Sequence, residues 1–337
     1  MMQTVKSAAV QKLQSAGRRR QGTLIQGAVL AGCLAFGTSA HAGLTFQFTY
    51  STDPGATETT AAQQQAIMTA GQLFSSMFAT HFSNSATLQY NVVSQTSGVA
   101  AASTDATLLT NARSQEVVQN KILTGIDANG ATADGSIDIN WGNNWVLDPN
   151  APVDFANGEL DVFSVIAHEL THSFGFASFA GTSGGTFRNK FDEFLTSLSG
   201  QQLIDGVSNG VDAAVYADAS LNNALFTGAN AIAANGGVGV SIQGQSGDPT
   251  AFSGALSHLG TNAFSAPIGG SPLDNGLMLC CGGLNVIGQG RVYNAAEVGI
   301  MRDLGYTPNA VNDVPEPGTL ALVLAALGGM AMRRRKA

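Results

Sequence analysis

The stretch LDVFSVIAHELTHSFGF, residues 160–176, restricts the fold of this chain more than any other. Val162, Ile166, Leu170 and Phe174 recur at every fourth position, so a helix gathers them into one apolar spine. His168 and His172 stand two residues off that spine, about 200° around the axis at 3.6 residues per turn. Such a helix must bury one side in a core and turn two imidazoles towards a cleft on the other. The turn-rich DPNAPVDFANG precedes it, and Asp161 at its start suits the positive end of the helix dipole.

The same stretch contains HELTH, with His168 and His172 four residues apart and Glu169 between them. Residues at this spacing are neighbours on one helical face, so both ring nitrogens can reach one Zn²⁺ ion. Glu169 lies beside the metal rather than on it, placed as the general base that takes a proton from a zinc-activated water and passes it to a leaving amine. Gly175 is expected to let the chain turn sharply away beneath the metal, where a side chain would obstruct it. Two satisfied surface histidines flanking a helical glutamate are the bland alternative, and the scarcity of His and Glu in this chain counts against it. A catalytic zinc needs a third protein ligand, but position 178, where a short-range third histidine would fall, is Ser178. His81, the carboxylates Asp192 and Glu193, and His258 are the candidates the rest of the chain offers.

Both ends are set apart from the fold. Residues 1–42 carry Lys6, Lys12 and Arg18–Arg20, then the apolar LIQGAVLAGCLAF, then the exit Ala40-His41-Ala42; this is a secretory signal peptide cut after Ala42 by signal peptidase. Leu30-Ala-Gly-Cys33 is a competing lipoprotein box. At the other end Val314-Pro-Glu-Pro317 leads into GTLALVLAALGGMAM and the basic Arg333-Arg-Arg-Lys336. That apolar run is about fifteen residues, shorter than the about twenty that span a bilayer, with a positive cluster that stops translocation behind it. A simple tail anchor is one reading. The order of these parts resembles the PEP-CTERM sorting signal of Gram-negative bacteria, which implies transient inner-membrane anchoring by residues 313–337, an exosortase-type protease as partner, and delivery to the cell surface or medium.

The chain between the ends, 43–312, carries the folded part. Outside the two basic ends only six basic residues face 23 acidic ones, a net charge of −17. That excludes nucleic acid and anionic membrane surfaces as partners, since both are bound through clustered Lys and Arg. Cys280 and Cys281 are adjacent and cannot build a framework of long-range disulfides. GLTFQFTY alternates Leu44, Phe46, Phe48 and Tyr50 as a strand. Residues 58–81 bring Ile67, Leu73, Phe74, Met77 and Phe78 together as a helix, and ATLQYNVV alternates again through Leu88, Tyr90 and Val92. A helix is expected over 105–123, a strand over SIDINW (136–141), a helix through FDEFLTSL, and a last helix over 295–306. Strand, helix, strand argues for an α/β or α+β sheet rather than an all-β fold. Residues 199–250 are rich in Gly, Asn, Ala and Ser and read as a loop-rich lobe without firm elements. Asp127, Asp134 and Asp138 in DANGATADGSID resemble a Ca²⁺ loop, but their spacing fits no strict pattern, so a solvated turn is the preferred reading and Ca²⁺ the alternative.

HELTHSFGF, a distant Ser-His258-Leu, then Leu-Met278 and a closing Asp-Leu-Gly-Tyr306 resemble zincin metalloproteases whose third histidine follows a long insertion. Leishmanolysin-type enzymes and a bacterial exported group carrying PEP-CTERM tails have this pattern. The resemblance implies an α+β zincin-like domain: an N-terminal mixed sheet with a backing helix and an active-site helix over about 43–178, then a loop-rich C-terminal lobe over about 179–312. It further implies His258 as the third ligand, Met278 as the turn methionine beneath the metal, and a polypeptide substrate. Two departures stand out: a long gap from His258 to Met278, and Leu279 and Cys280 where a helper tyrosine often sits. Either cysteine is a further alternative ligand. SIDINWGNNW would be the edge strand that pairs with substrate, or else an ordinary core strand. The rival function is a non-catalytic surface or biofilm-matrix protein that keeps the scaffold.

Overall fold

The computed structural model describes residues 43–104, 106–108, 114–180, 188–205, 208, 210–244, 256–260, 276–278 and 290–309. The expected signal peptide with its Cys33, the pair Cys280 and Cys281, Leu279, and the sorting segment 313–337 lie outside the described residues. Among the described residues, no helix is long and apolar enough to cross a membrane.

The fold is α+β, with mixed sheets and helices. Strand β1 (Leu44–Thr52) runs parallel to β2 (Ala86–Ser94), and helix α1 (Ala61–His81) makes the crossover between them. A capping box starts α1: Thr60 accepts from the Gln63 amide, and Gln63 accepts from the Thr60 amide in return. Ile67, Phe74, Met77 and Phe78 are buried on its inner face, but Leu73 is 44% exposed and lies off the stripe. Leu88, Tyr90 and Val92 are fully buried on one face of β2, as their alternation requires.

The helix expected over 105–123 is shorter. Strands β4 (Ala106–Leu108) and β5 (Ser114–Glu116) pair as an antiparallel ladder first, and only α2 (Val117–Thr124) is helical. Strand β6 (Gly135–Ile139) pairs parallel with β2 and antiparallel with β3 (Ala100–Thr104), giving the order β1-β2-β6-β3. The SIDINW strand is therefore interior, and β3 takes the edge that sequence reasoning offered to it. The short β7 (Trp145–Val146) and β8 (Leu160–Asp161) pair parallel and lead into α3 (Val162–Ser173), which lies against α1 and β3.

Val162, Ile166, Leu170 and Phe174 are all fully buried, as the spine demands. The ring of Phe174 meets Phe74 edge-on at 5.3 Å and Phe78 at 5.7 Å, and stacks on Tyr306 at 6.0 Å. The Tyr306 hydroxyl donates to the Phe174 carbonyl at 2.8 Å, and the Tyr90 and Ser173 hydroxyls share a bond of 2.6 Å. The C-terminal end of α3 is thus fixed by α1, β2 and Tyr306 together.

The loop-rich stretch after 199, on which the sequence places no firm element, holds several short ones. Strand β9 (Leu195–Ser197) pairs with β10 (Ala224–Phe226), which pairs with β11 (Val240–Ile242), both antiparallel. Helices α4 (Ala213–Asn222) and α5 (Ala229–Ala234) lie in the same stretch. Sequence periodicity misses them because the strands are three residues long, too short to show alternation. FDEFLTSL is likewise not a helix: a single 3-10 turn at Asp192–Phe194 gives way to β9, and Leu198 is 41% exposed. Ladder pairing of Leu195 with Phe226 overrides the local preference. The closing helix is α6 (Ala295–Leu304), with a capping box between Asn294 and Glu297.

Candidate metal centre

Helix α3 begins on Asp161, whose carboxylate accepts from the amides of Phe163 and Ser164. Arg291 grips that carboxylate with two bonds, Nε to Oδ2 at 2.7 Å and Nη2 to Oδ1 at 2.8 Å, and lies over the Phe163 ring. Six residues in from the first helical position, His168 is 2% exposed; His172, one turn later, is half-buried.

The two rings are held alike. His168 Nδ1 lies 2.7 Å from the Leu277 carbonyl and His172 Nδ1 2.8 Å from the Phe176 carbonyl. A carbonyl oxygen only accepts, so each Nδ1 carries the proton and each Nε2 presents a lone pair. His258 approaches those lone pairs from a distant part of the chain. Its Nε2 is 3.1 Å from His172 Nε2 and 3.2 Å from His168 Nε2. Burial lowers the pKa of His168 to about 4, against the raising effect of the Leu277 bond. Burial, and then the neighbouring His168, lower that of His172 to about 3. Both rings are therefore neutral at pH 7, the form that binds a metal.

His258 is delivered by the second sheet. The Gln243 amide donates to the His258 carbonyl and the Leu256 amide to the Gln243 carbonyl, both at 2.8 Å, while Leu259 bridges Ile242. On the other side, the Leu259 amide donates to the Met278 carbonyl at 2.9 Å. The run 256–260 thus lies between β11 and the 276–278 segment, which also supplies the Leu277 carbonyl to His168.

These residues fit a metal ion. Three nitrogens in tetrahedral positions at about 2.0–2.1 Å from zinc stand about 3.3–3.4 Å apart, close to the spacing of His258 from its two neighbours. A proton on His258 Nε2 satisfies only one of its two contacts at a time. The other neighbour's lone pair then faces a nitrogen with no proton directed at it, which a cation between the rings relieves. Among the described residues, His168, His172 and His258 form a group whose ligand atoms all lie within 4.8 Å of one another, able to hold a metal ion.

Glu169 follows His168 on α3 and is buried, at 7% exposure. Met278 is fully buried. Gly175 adopts φ +95°, so the chain does turn there as its sequence position suggests. The crowding is different from that expected: a Cβ would strike Gln119 at 2.5 Å and Glu116 at 3.0 Å. Neighbouring side chains of the core, not the metal position, exclude it.

The other candidates are placed elsewhere. Ser178 donates to Asp192 at 2.6 Å, and its amide donates to the Ser257 hydroxyl at 3.2 Å. The position that a short-range third ligand would occupy therefore ties down the segment that presents His258. Asp192 is fully buried and also accepts from the amides of Phe179 and Asn189, so it ties residues 178 and 179 to residue 189. Burial raises its pKa to about 6, against these bonds, which lower it. Glu193 pairs with Lys190 at 3.1 Å and Arg188 at 3.5 Å. His81 packs against the rings of Phe82 and Tyr293. The calcium reading is corrected: Asp127 and Asp134 converge on the Lys121 ammonium at 2.8 and 3.0 Å, and Asp138 lies apart, in the field of Asp53. A side-chain cation already neutralises that loop.

The residues that sequence reasoning missed are those that hold ligands rather than serve as them. The carbonyls of Leu277 and Phe176 carry no sequence signal. Glu297 had one, since Asn294-Ala-Ala-Glu297 has the capping-box spacing.

Residues 313–336 match the model of the PEP-CTERM protein-sorting motif. No curated protein and no solved structure matches the chain. The chain is thus an exported protein sorted to the cell surface of a Gram-negative bacterium through processing by an exosortase. It carries a group of three histidines able to hold a metal ion.

Proposed function

We propose that this protein is a surface-sorted metalloendopeptidase of the zincin type, with zinc held by His168, His172 and His258 and Glu169 as general base. The observation that carries this reading is the convergence of three Nε2 atoms, two of them from consecutive turns of the helix that also carries Glu169. A bound divalent ion such as zinc supplies Lewis acidity, polarising a peptide carbonyl and lowering the pKa of water towards 7. The chain does the rest. The Leu277 and Phe176 carbonyls hold the Nδ1 protons, so the Nε2 lone pairs stay directed at one point. The Glu169 carboxylate takes the proton of the attacking water and returns it to the departing amine nitrogen. Burial around α3 limits bulk water and so strengthens each of these interactions. Signal peptidase would remove 1–42, and the C-terminal apolar run and basic tail would hold the protein transiently at the inner membrane until sorting.

The test is metal analysis of the purified protein together with casein hydrolysis before and after chelation. One zinc per chain is expected, with hydrolysis lost on chelation and restored by zinc. Glu169→Ala should keep the metal and lower hydrolysis by about 10²–10⁴-fold. Hydrolysis unaltered by that substitution would overturn the reading, and stoichiometric metal without any hydrolysis would favour the non-catalytic matrix protein.

A further inference from the structure

The C-terminal helix α6 reaches the metal centre through a single peptide group. Glu297 is fully buried, and its Oε1 accepts from the Met278 amide at 2.6 Å. The carbonyl of that same peptide unit, Leu277 C=O, accepts the Nδ1 proton of His168 at 2.7 Å. The sequence of contacts is therefore carboxylate, peptide N–H, peptide C=O, imidazole Nδ1–H, and on the far side of the ring the Nε2 that faces His258.

The link is built rather than incidental. Glu297 Oε2 accepts from the Asn294 amide at 2.7 Å, closing the capping box and fixing the carboxylate at the start of α6. Gly276 leaves room for it: a Cβ there would lie 2.9 Å from Glu297 Oε1 and 2.6 Å from Asn294 Nδ2. The Met278 carbonyl is held in turn by the Leu259 amide, one residue from His258. His172 has no such arrangement, since its Nδ1 bonds the Phe176 carbonyl, at the turn that ends its own helix.

We propose that Glu297 is a positioning residue for the metal centre, polarising the Leu277–Met278 peptide group so that His168 becomes the most basic and most firmly oriented of the three ligands. A carboxylate that holds a ligating histidine directly is a common way to orient the ring and raise its basicity. Here a peptide unit is interposed. Hydrogen bonds in a chain polarise one another, and a negative acceptor at one end strengthens the carbonyl at the other. Burial pushes the Glu297 carboxyl up to about 7, against the backbone bonds that lower it, so the comparison is made at pH 8, where the ionised form predominates. The proposal rests on the metal-site reading above but not on hydrolysis.

The experiment compares zinc affinity of the full chain and its Glu297→Gln variant by competition with a chromophoric chelator. Glutamine keeps one acceptor: with its oxygen on the Asn294 amide the capping box stays closed, and its NH2 group then faces the Met278 amide, so the bond to that peptide and the charge are lost together. Affinity should fall about 10–100-fold. In ¹⁵N-resolved spectra of the zinc-loaded proteins the His168 Nδ1–H resonance should shift upfield in the variant while that of His172 stays in place. Asp303→Asn, on the same helix but bonded to Asn230 and Ala231, should leave both affinity and spectra unchanged. Should Glu297→Gln fail to fold, zinc titration of the unsubstituted protein serves: the Met278 amide resonance should move on loading. Failure of the unsubstituted protein to bind zinc would defeat the metal-site reading itself. Tight zinc binding that Glu297→Gln leaves unaltered, equal shifts at His168 and His172, or a Met278 amide indifferent to loading would overturn this proposal alone.

Discussion

The two regions that supply the histidines are built differently. His168 and His172 stand on α3, whose spine is locked among α1, β2 and Tyr306 by large buried rings. Their spacing is a property of one helix and needs no distant contact. His258 stands among residues 256–260, where Leu256 and Leu259 are fully buried and backbone bonds run to Gln243, Ser241 and Met278. The first region is stiff through packing around one helix; the second takes its place from buried leucines and from hydrogen bonds between segments far apart in the sequence. A metal ion bound to all three would join them, and its binding energy would fall mainly on the second.

The largest effect tests the stiff side. Phe174→Ala removes a fully buried ring with three aromatic neighbours and should cost about 3–5 kcal/mol in urea unfolding. A loss below about 1 kcal/mol would show that α3 is not anchored there. Next comes the contrast itself, read by amide hydrogen exchange. Without metal, the Leu259 and Gln243 amides should exchange faster than Leu88 on β2, because the 256–260 run can open without unfolding the sheet. Zinc at about 100 times its Kd should slow them by about 100-fold, the equivalent of about 2.7 kcal/mol. Equal exchange at all three without metal would erase the distinction.

A smaller effect sits where the regions meet. Ser178→Ala leaves the buried Asp192 carboxylate short of one donor and should cost about 1–2 kcal/mol in urea unfolding, with zinc binding little changed because the tie to Ser257 comes from the backbone amide of residue 178. The same carboxylate also gives stability a slope with pH. Burial raises the folded pKa of Asp192 from 3.8 to about 6, so between these values the folded chain binds more protons than the unfolded one. This group's contribution to stability therefore declines as pH rises through that window. The difference in stability between the parent protein and Asp192→Asn should shrink from pH 4 to pH 6; a difference that grows would contradict the assignment.

Sequence reading succeeded where one element carries its own pattern and failed where a partner decides. The α3 spine and the strands β1 and β2 show because each repeats its apolar residues at a fixed period over nine or more residues. The ladder of β4 and β5 inside an expected helix, and β9 in place of a helix, are set by pairing with strands elsewhere. Leu73 matched the helical spacing yet faces solvent, because apolar spacing marks a stripe wider than the one the sheet covers. At the site, HELTH was legible from spacing, and His258 came only from resemblance to a family pattern. The partner of Asp127 and Asp134 was not legible, because Lys121, which neutralises both, comes from a different element, α2.

The claim on which the rest stands is that the three imidazoles share one ion, and X-ray absorption at the zinc edge addresses it most directly. One zinc per chain is expected, with three nitrogen ligands at about 2.0–2.1 Å, falling to two and losing stoichiometry in His258→Ala. A zinc shell that His258→Ala leaves unaltered, or no zinc retained at neutral pH, would contradict it.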